Sequence, residues 1–302
     1  MKFPVIEEKN RLNSLKYPEG KIKMILDTDT YNEVDDQFAL AYALKSQDKL
    51  DIEAIYAAPF YNDRSKNPED GMKKSYYEII KIMKKMGYNN EEKVFKGSTD
   101  YIKDYDNPQI SAAAEDLIGR VESLTSEEKL YVVAIGAITN IASAVLMEPE
   151  IIKDIVIIWL GGHAHYWPDT KEFNLSQDIL ASRVIFDCGV PLIQIPCMGV
   201  ASHLQTNVPE LKYYLSESDI GQYLINIVEN YTDNPHGWSK VIWDISTIGY
   251  LINKNWVKTE LVHSPVLTDQ VTWSFDNSRH LIKVARWIDR DGIFSDLFNK
   301  IN

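Results

Sequence analysis

Two kinds of hydrophobic patterning take turns along the chain. Short continuous apolar runs, "KIKMILDT" (21–28), "LDIEAIYAAP" (50–59), "KLYVVAIGA" (129–137), "IKDIVIIWLGG" (152–162) and "VPLIQIPCMG" (190–199), have the length and β-branched content of strands buried on both faces. Between them lie stretches at helical spacing: "DDQFALAYALKS" (35–46), with a face through Phe38, Ala41, Tyr42 and the stem of Lys45; "GMKKSYYEIIKIMKKMG" (71–87), closed by Gly87; "ITNIASAVLMEPEI" (138–151); and "DILASRVIFDCG" (178–189). Strands alternating with helices predict an α/β fold with a mainly parallel central sheet, helices on both faces, and a site at the carboxyl ends of the strands.

There is no internal repeat and no low-complexity linker. The 302 residues are expected to form one domain, with a short N-terminal extension to about residue 20 and a possible helical lid over about 204–240. The tyrosines of that segment, Tyr213, Tyr214, Tyr223 and Tyr231, are expected to pack in the core, and Trp238 is a candidate wall of the site.

Composition narrows the partners. A formal charge of −12 gives no broad attraction for nucleic acid or anionic membranes. No segment approaches the roughly 18 apolar residues of a membrane span, and the N-terminal stretch has no signal-like apolar run, so cytoplasm is the expected location. Cys188 and Cys197 lie in apolar surroundings and read as reduced, core-facing thiols.

The candidate chemistry starts at "DTDTYNEVDD" (27–36), where a strand should end and a helix begin. Asp27, Asp29, Glu33, Asp35 and Asp36 fall within ten positions, and such carboxylates repel one another if all are ionised. A helix start accounts for Asp35 or Asp36, since acidic groups favour a helix N-terminus. It does not account for Asp27 and Asp29. A divalent cation does, and carboxylates without interleaved His or Cys point to Ca²⁺ or Mg²⁺ rather than Zn²⁺.

The stretch resembles the N-terminal D-x-D-x-G-x-D-D signature of the inosine–uridine-type nucleoside hydrolases. Here the final Asp pair stands two residues further along and the glycine is absent. Further blocks follow in the family's order: "GAITNIASAVLMEPEI", "IIWLGG" with "EFN", "GVPLIQIP" and "WDISTIGYLI". The resemblance covers roughly residues 21–300. It implies a tightly bound Ca²⁺, hydrolysis of the N-glycosidic bond of a ribonucleoside or related N-ribosyl compound, and a homodimer or homotetramer. Carried over, it makes Asp29, Asp36, the Ile135 backbone carbonyl and Asp244 the metal ligands. Asp29 is also the general base for the attacking water. Asp35, Asn62, Glu172 and Asn174 are the sugar-binding groups. Asn32, in the expanded loop, is a further candidate for reaching the sugar. Trp243 stands where the family often carries a His that assists the departing base, and Trp donates no such proton but stacks on a base. His163, His165 and His236 are then the possible leaving-group acids. The absence of a Gly-rich P-loop and of a basic cluster argues against a phosphorylated substrate.

Two alternatives stand beside this. One is a non-catalytic relative that keeps Ca²⁺ and a ribosyl ligand. The other is a haloacid-dehalogenase-type phosphatase, with Asp27 of "MILDTDT" as nucleophile, Asp29 as acid and Mg²⁺ as cofactor.

Overall fold

The structure, a computed structural model, describes residues 3–125, 128–234 and 236–302. Pro235, inside the expected lid, lies outside the described residues, as do residues 1–2 of the extension. The apolar runs form β1 (Ile22–Thr28), β2 (Leu50–Ala57), β4 (Leu130–Ala134), β5 (Ile155–Leu160) and β6 (Leu192–Ile195), with the short β3 (Val94–Lys96) added at one edge. Gln205–Thr206 (β7) pairs with Lys240–Val241 (β8), and Val266–Leu267 (β10) with Trp273–Ser274 (β11). Two long strands complete the main sheet: β9 (Val257–His263) and β12 (Leu281–Ile288). The sheet has eight strands in the order β3-β2-β1-β4-β5-β6-β12-β9. Every pairing in it is parallel except β12 with β9.

The helices are α1 (Glu8–Ser14), α2 (Asp36–Leu44), α3 (Pro68–Lys85), α4 (Ala112–Glu122), α5 (Thr139–Met147), α6 (Phe173–Gln177), α7 (Ile179–Asp187), α8 (Val208–Leu215), α9 (Asp219–Glu229), α10 (Ile245–Ile252) and α11 (Arg290–Ile301). They cover both faces. Met24 and Leu26 of β1 pack into one apolar cluster with Phe38, Ile79, Leu224, Ile248 and Leu297. Ile25, pointing the other way, joins Leu117, Ile141, Val145 and Ile185. The strands therefore read as unbroken apolar runs because neither face meets water.

Local signals explain the helix ends. Asn67 caps α3 by accepting from Asp70 N–H, Pro68 occupies its first turn, and Gly87 follows it in the left-handed region at φ +79°. Helix α2 differs from the expected amphipathic pattern. Each of its nine residues is buried, while Lys45 beyond its end is exposed. A helix enclosed between the sheet and other helices has no polar face to show.

In the segment 204–240, Leu211, Leu215, Ile220, Leu224, Ile225 and Val228 of α8 and α9 are buried in the first cluster. The core placement expected for the tyrosines fails at Tyr213, Tyr214 and Tyr231, which are 80%, 45% and 38% exposed. Leucine and isoleucine at helical spacing take the buried face, which leaves adjacent tyrosines on the outer one.

The topology fixes where a site forms. From β1 the chain builds outward through β2 to β3, then returns to add β4 on the other side and proceeds through β5 and β6. The carboxyl ends of β1 and β4 therefore flank a switch point, and the loops leaving them diverge into a crevice.

Candidate active site

That crevice holds a cavity of about 260 Å³, lined by Asn32, Glu33, Asp35, Asp36, Ile135 and Leu160 on one part of its wall. His163, Lys171, Glu172, Phe173, Asn174, Cys197, Met198, Trp243 and Asp244 complete it. Cys197, expected as an ordinary core thiol, is buried but stands at this wall, whereas Cys188 is enclosed in the second cluster.

Asp35 and Asp36 open α2, and Asp244 immediately precedes α10. Neither Asp35 nor Asp244 caps its helix with its side chain, although Asp178 before α7 and Asp289 before α11 do so. A helix start therefore does not account for these two carboxylates. Instead, Asp35, Asp36 and Asp244 each bring an oxygen within 4.8 Å of the others. Asp36 accepts from Thr28 Oγ1 at 2.5 Å, and Asp35 Oδ2 from the backbone N–H of Trp243 at 3.2 Å.

Asp29, just past β1, lies behind this lining against Asp36. Both its carboxylate oxygens are buried, and no group outside the acidic cluster hydrogen-bonds them. A methyl group on Gly136 would stand 3.1 Å from its Cγ, so the backbone after β4 approaches it closely because that residue is glycine.

Burial, reinforced by neighbouring carboxylates, pushes Asp36 up to about 7, and Asp29 and Asp244 well above the usual carboxylate range. Asp35 is pushed up to about 6 by burial, against the pull of the Lys240 ammonium. Four buried carboxylates with one buried cation beside them fit a divalent cation in type and number. Ile135 lines the same cavity, and its carbonyl accepts a long 3.3 Å bond from Asn174 Nδ2, which leaves it a lone pair to spare.

Asp27 lies deeper. Asn140 Nδ2 donates to its Oδ1 at 2.8 Å, and Asn140 Oδ1 accepts from Ser98 N–H and Oγ at 2.7 and 2.8 Å. Asp27 is fully buried, does not line this cavity, and has its Oδ1 committed to Asn140.

On the opposite wall, Glu172 accepts from three backbone amides: Gly162 and Asn174 at 2.9 Å and Leu175 at 3.0 Å. Gly162 serves this with φ +72°, in the region that glycine tolerates best. Burial raises the Glu172 pKa, and the three amides oppose that rise. Asn174 spends its amide nitrogen on the carbonyls of Ile135 and Leu160.

Of the three histidines, only His163 lines the cavity. His165 is bonded to Gln194 at 2.8 Å between Trp273 and Phe275, at a separate surface groove. Burial pushes it down to about 4. His236 is exposed. Asn62 does not line the cavity either, because its Nδ2 donates to Asn32 Oδ1 at 2.6 Å; Asn32 is the residue that reaches the wall. Trp238 stacks on Tyr231 outside it. Sequence reading missed Lys240, whose one signal is a single charge ahead of the apolar run in "KVIWD", and the wall residues Lys171, Phe173 and Met198.

No helix among the described residues is long and apolar enough to cross a membrane. A family model described as inosine-uridine preferring nucleoside hydrolase matches residues 24–295. The pyrimidine-specific ribonucleoside hydrolase RihB of Escherichia coli O1:K1 / APEC is 31% identical over 159 residues, 47% of this chain and 48% of that protein. The chain spans about half the length of the curated relatives it matches. Among solved structures, a purine-preferring ribonucleoside hydrolase from Gardnerella vaginalis aligns with a TM-score of 0.76 at 22% identity, over 92% of this chain and 98% of that one. An inosine-uridine preferring nucleoside hydrolase from Bacillus anthracis aligns at 0.69 and 16% identity, over 93% and 99%. At these identities the structural likeness is one of fold, and it agrees with the strand order and the switch-point cavity. With the model spanning nearly the whole sheet and every block that lines the cavity, the chain belongs to the inosine-uridine preferring nucleoside hydrolase family.

Proposed function

We propose that the protein hydrolyses the N-glycosidic bond of a ribonucleoside, or a related N-ribosyl compound, to ribose and free base. The observation that carries this reading is the meeting of Asp35, Asp36 and Asp244, each with an oxygen within 4.8 Å of the others, with Asp29 buried behind them against Asp36. Asp29, Asp36, Asp244 and the Ile135 carbonyl would hold Ca²⁺. When bound, the cation would neutralise the carboxylates and gather a water and the sugar hydroxyls in one place.

The chain's own groups divide the remaining work. Asp29 takes a proton from the attacking water as the new C–O bond forms at the ribosyl carbon. Asp35, Glu172 and Asn174 accept from or donate to sugar hydroxyls, and their hold tightens as the carbon becomes oxocarbenium-like. With Glu33, Asp35, Asp36, Glu172 and Asp244 against Lys171 alone, the wall suits a neutral sugar and disfavours a phosphorylated one.

His163 is the donor to the departing base. Its backbone N–H donates to Thr170 Oγ1 at 2.9 Å, its backbone carbonyl accepts from the Trp273 indole at 3.1 Å, and its Nδ1 accepts from Met198 N–H at 3.3 Å. Burial holds its pKa below the ordinary value, and with Nδ1 accepting from Met198 it is Nε2–H that is left to hydrogen-bond the departing base. His163→Gln is expected to lower kcat on ribonucleosides by about 10²-fold, as for loss of a hydrogen-bond donor to developing negative charge. Its effect on 4-nitrophenyl riboside, whose leaving group departs without a proton, should be much smaller. Equal losses on both substrates would remove His163 from this role.

A reducing-sugar assay against purine and pyrimidine ribonucleosides, with and without chelator, tests the whole reading. Chelator-sensitive release of ribose is expected. Calcium and ribose binding without release would leave a binding protein. The metal has a readout independent of turnover: at a hundredfold excess over Kd, Ca²⁺ should stabilise the chelator-treated protein by about 2.7 kcal/mol. For a chain of this length that is on the order of 4 °C in Tm. A melting curve unmoved by Ca²⁺ and Mg²⁺ alike would exclude a resident divalent site.

A further inference from the structure

Among the described residues, Lys240 is the one buried lysine, 6% exposed, and it does not line the cavity. Its ammonium donates to Glu33 Oε2 at 2.5 Å and to Val241 O at 3.1 Å, and stands 3.7 Å from Asp35 Oδ1. It lies 5.4 Å from the centre of the Tyr231 ring, which stacks on Trp238. The neighbouring Trp243 N–H takes the other oxygen of Asp35. One corner of the chain, residues 240–243, thus engages both oxygens of a single cavity carboxylate. The far side of the same acidic loop is clamped separately. Arg64 Nη1 donates to Glu33 O at 2.8 Å, and Asn62 donates to Asn32.

A buried ammonium is tolerated only when its donors and charge are matched, and here the matching groups are two carboxylates that do line the cavity. Resting on the function proposed above, we propose that Lys240 is a positioning residue. It fixes the orientation in which Asp35 meets the sugar, and it supplies the fixed counter-charge that lets a loop two residues longer than the family signature carry Glu33 beside Asp35. Acting from behind the wall, it touches neither substrate nor cation.

The role separates from a general scaffolding one by what moves together. Lys240→Met is expected to raise KM for the best ribonucleoside by about tenfold or more, with a smaller change in kcat. Because a positive charge is removed beside the carboxylates, Ca²⁺ alone, measured by calorimetry, should bind as tightly or more tightly. Lys240→Arg should restore most of the KM. If Lys240 acts through Asp35, then in an Asp35→Asn background Lys240→Met should raise KM by less than about threefold further.

A wild-type KM in Lys240→Met overturns the assignment. So does a fall in Ca²⁺ affinity that parallels the rise in KM, which marks a collapsed site. An undiminished rise in KM in the Asp35→Asn background also overturns it, since Lys240 would then act other than through Asp35. The same comparison made with Lys240→Gln decides the matter if Lys240→Met fails to fold. Wild-type protein without ribose release in the same assay overturns the hydrolase reading and this assignment together, whereas failure confined to the variants overturns only the assignment.

Discussion

Asp29→Asn lowers kcat by about three orders of magnitude while the protein stays folded. The size follows from the proposed role, because an amide cannot accept the proton of the attacking water and general-base loss costs about 10²–10⁴-fold, to which a lost metal ligand adds. The intact fold follows from the structure. No group outside the acidic cluster hydrogen-bonds the Asp29 oxygens, and the amide replaces a carboxyl that burial and its acidic neighbours already push toward the neutral form. The melting temperature of the chelator-treated variant should therefore equal or exceed that of wild type. Steady-state kinetics and a melting curve on one preparation check both halves. Turnover near the wild-type rate would take Asp29 out of the mechanism, and an unfolded variant would show that the carboxylate is held by something the hydrogen-bond pattern does not contain.

Asn140→Leu costs about 3 kcal/mol of stability or more. Asn140 is buried at the first turn of α5 and joins three segments: Asp27 on β1, the Ser98 amide and hydroxyl after β3, and, at 3.5 Å, the Ala57 carbonyl on β2. Leucine of similar size fills the space but strands those partners, each at about 1–3 kcal/mol, and the Asp27 carboxylate has one oxygen unpartnered already. The close approach of Gly97 to the Asn140 amide leaves no slack, since a methyl there would sit 2.4 Å from Nδ2. Urea unfolding at unchanged m-value measures the loss. A cost below about 1 kcal/mol would mean that water replaces the amide, and would contradict the burial of this junction.

Much of this was legible in the chain because the strands are apolar on both faces. Runs such as "IVIIWL" admit few other readings, and the helices between them force parallel pairing. The acidic cluster was legible for a similar reason, since a helix start alone does not explain Asp29 so near Asp35 and Asp36. The final antiparallel pair, β9 with β12, was not anticipated. The outer strand β9 has one fully buried residue, Val257, and shows even Leu261 48% exposed, and such a strand carries a weaker signal than a buried one. Choosing among His163, His165 and His236 depended on which way a loop turns after Gly162, and periodicity does not encode that. Lys240 was invisible because its partners Glu33 and Asp35 lie more than 200 positions away in the chain.

That separation has a consequence for how the molecule comes into being. The strands β1 to β6 are all present once residue 195 has been made, so most of the sheet, with the acidic loop at its centre, can assemble first. Asp29, Asp35 and Asp36 then wait at the edge of a nearly finished sheet with no counter-charge until residues 240–244 bring Lys240 and the last carboxylate. Docking that corner is a contact of very high sequence separation, and so an intrinsically slow one. A growing or truncated chain would therefore carry an assembled framework well before it carries working chemistry.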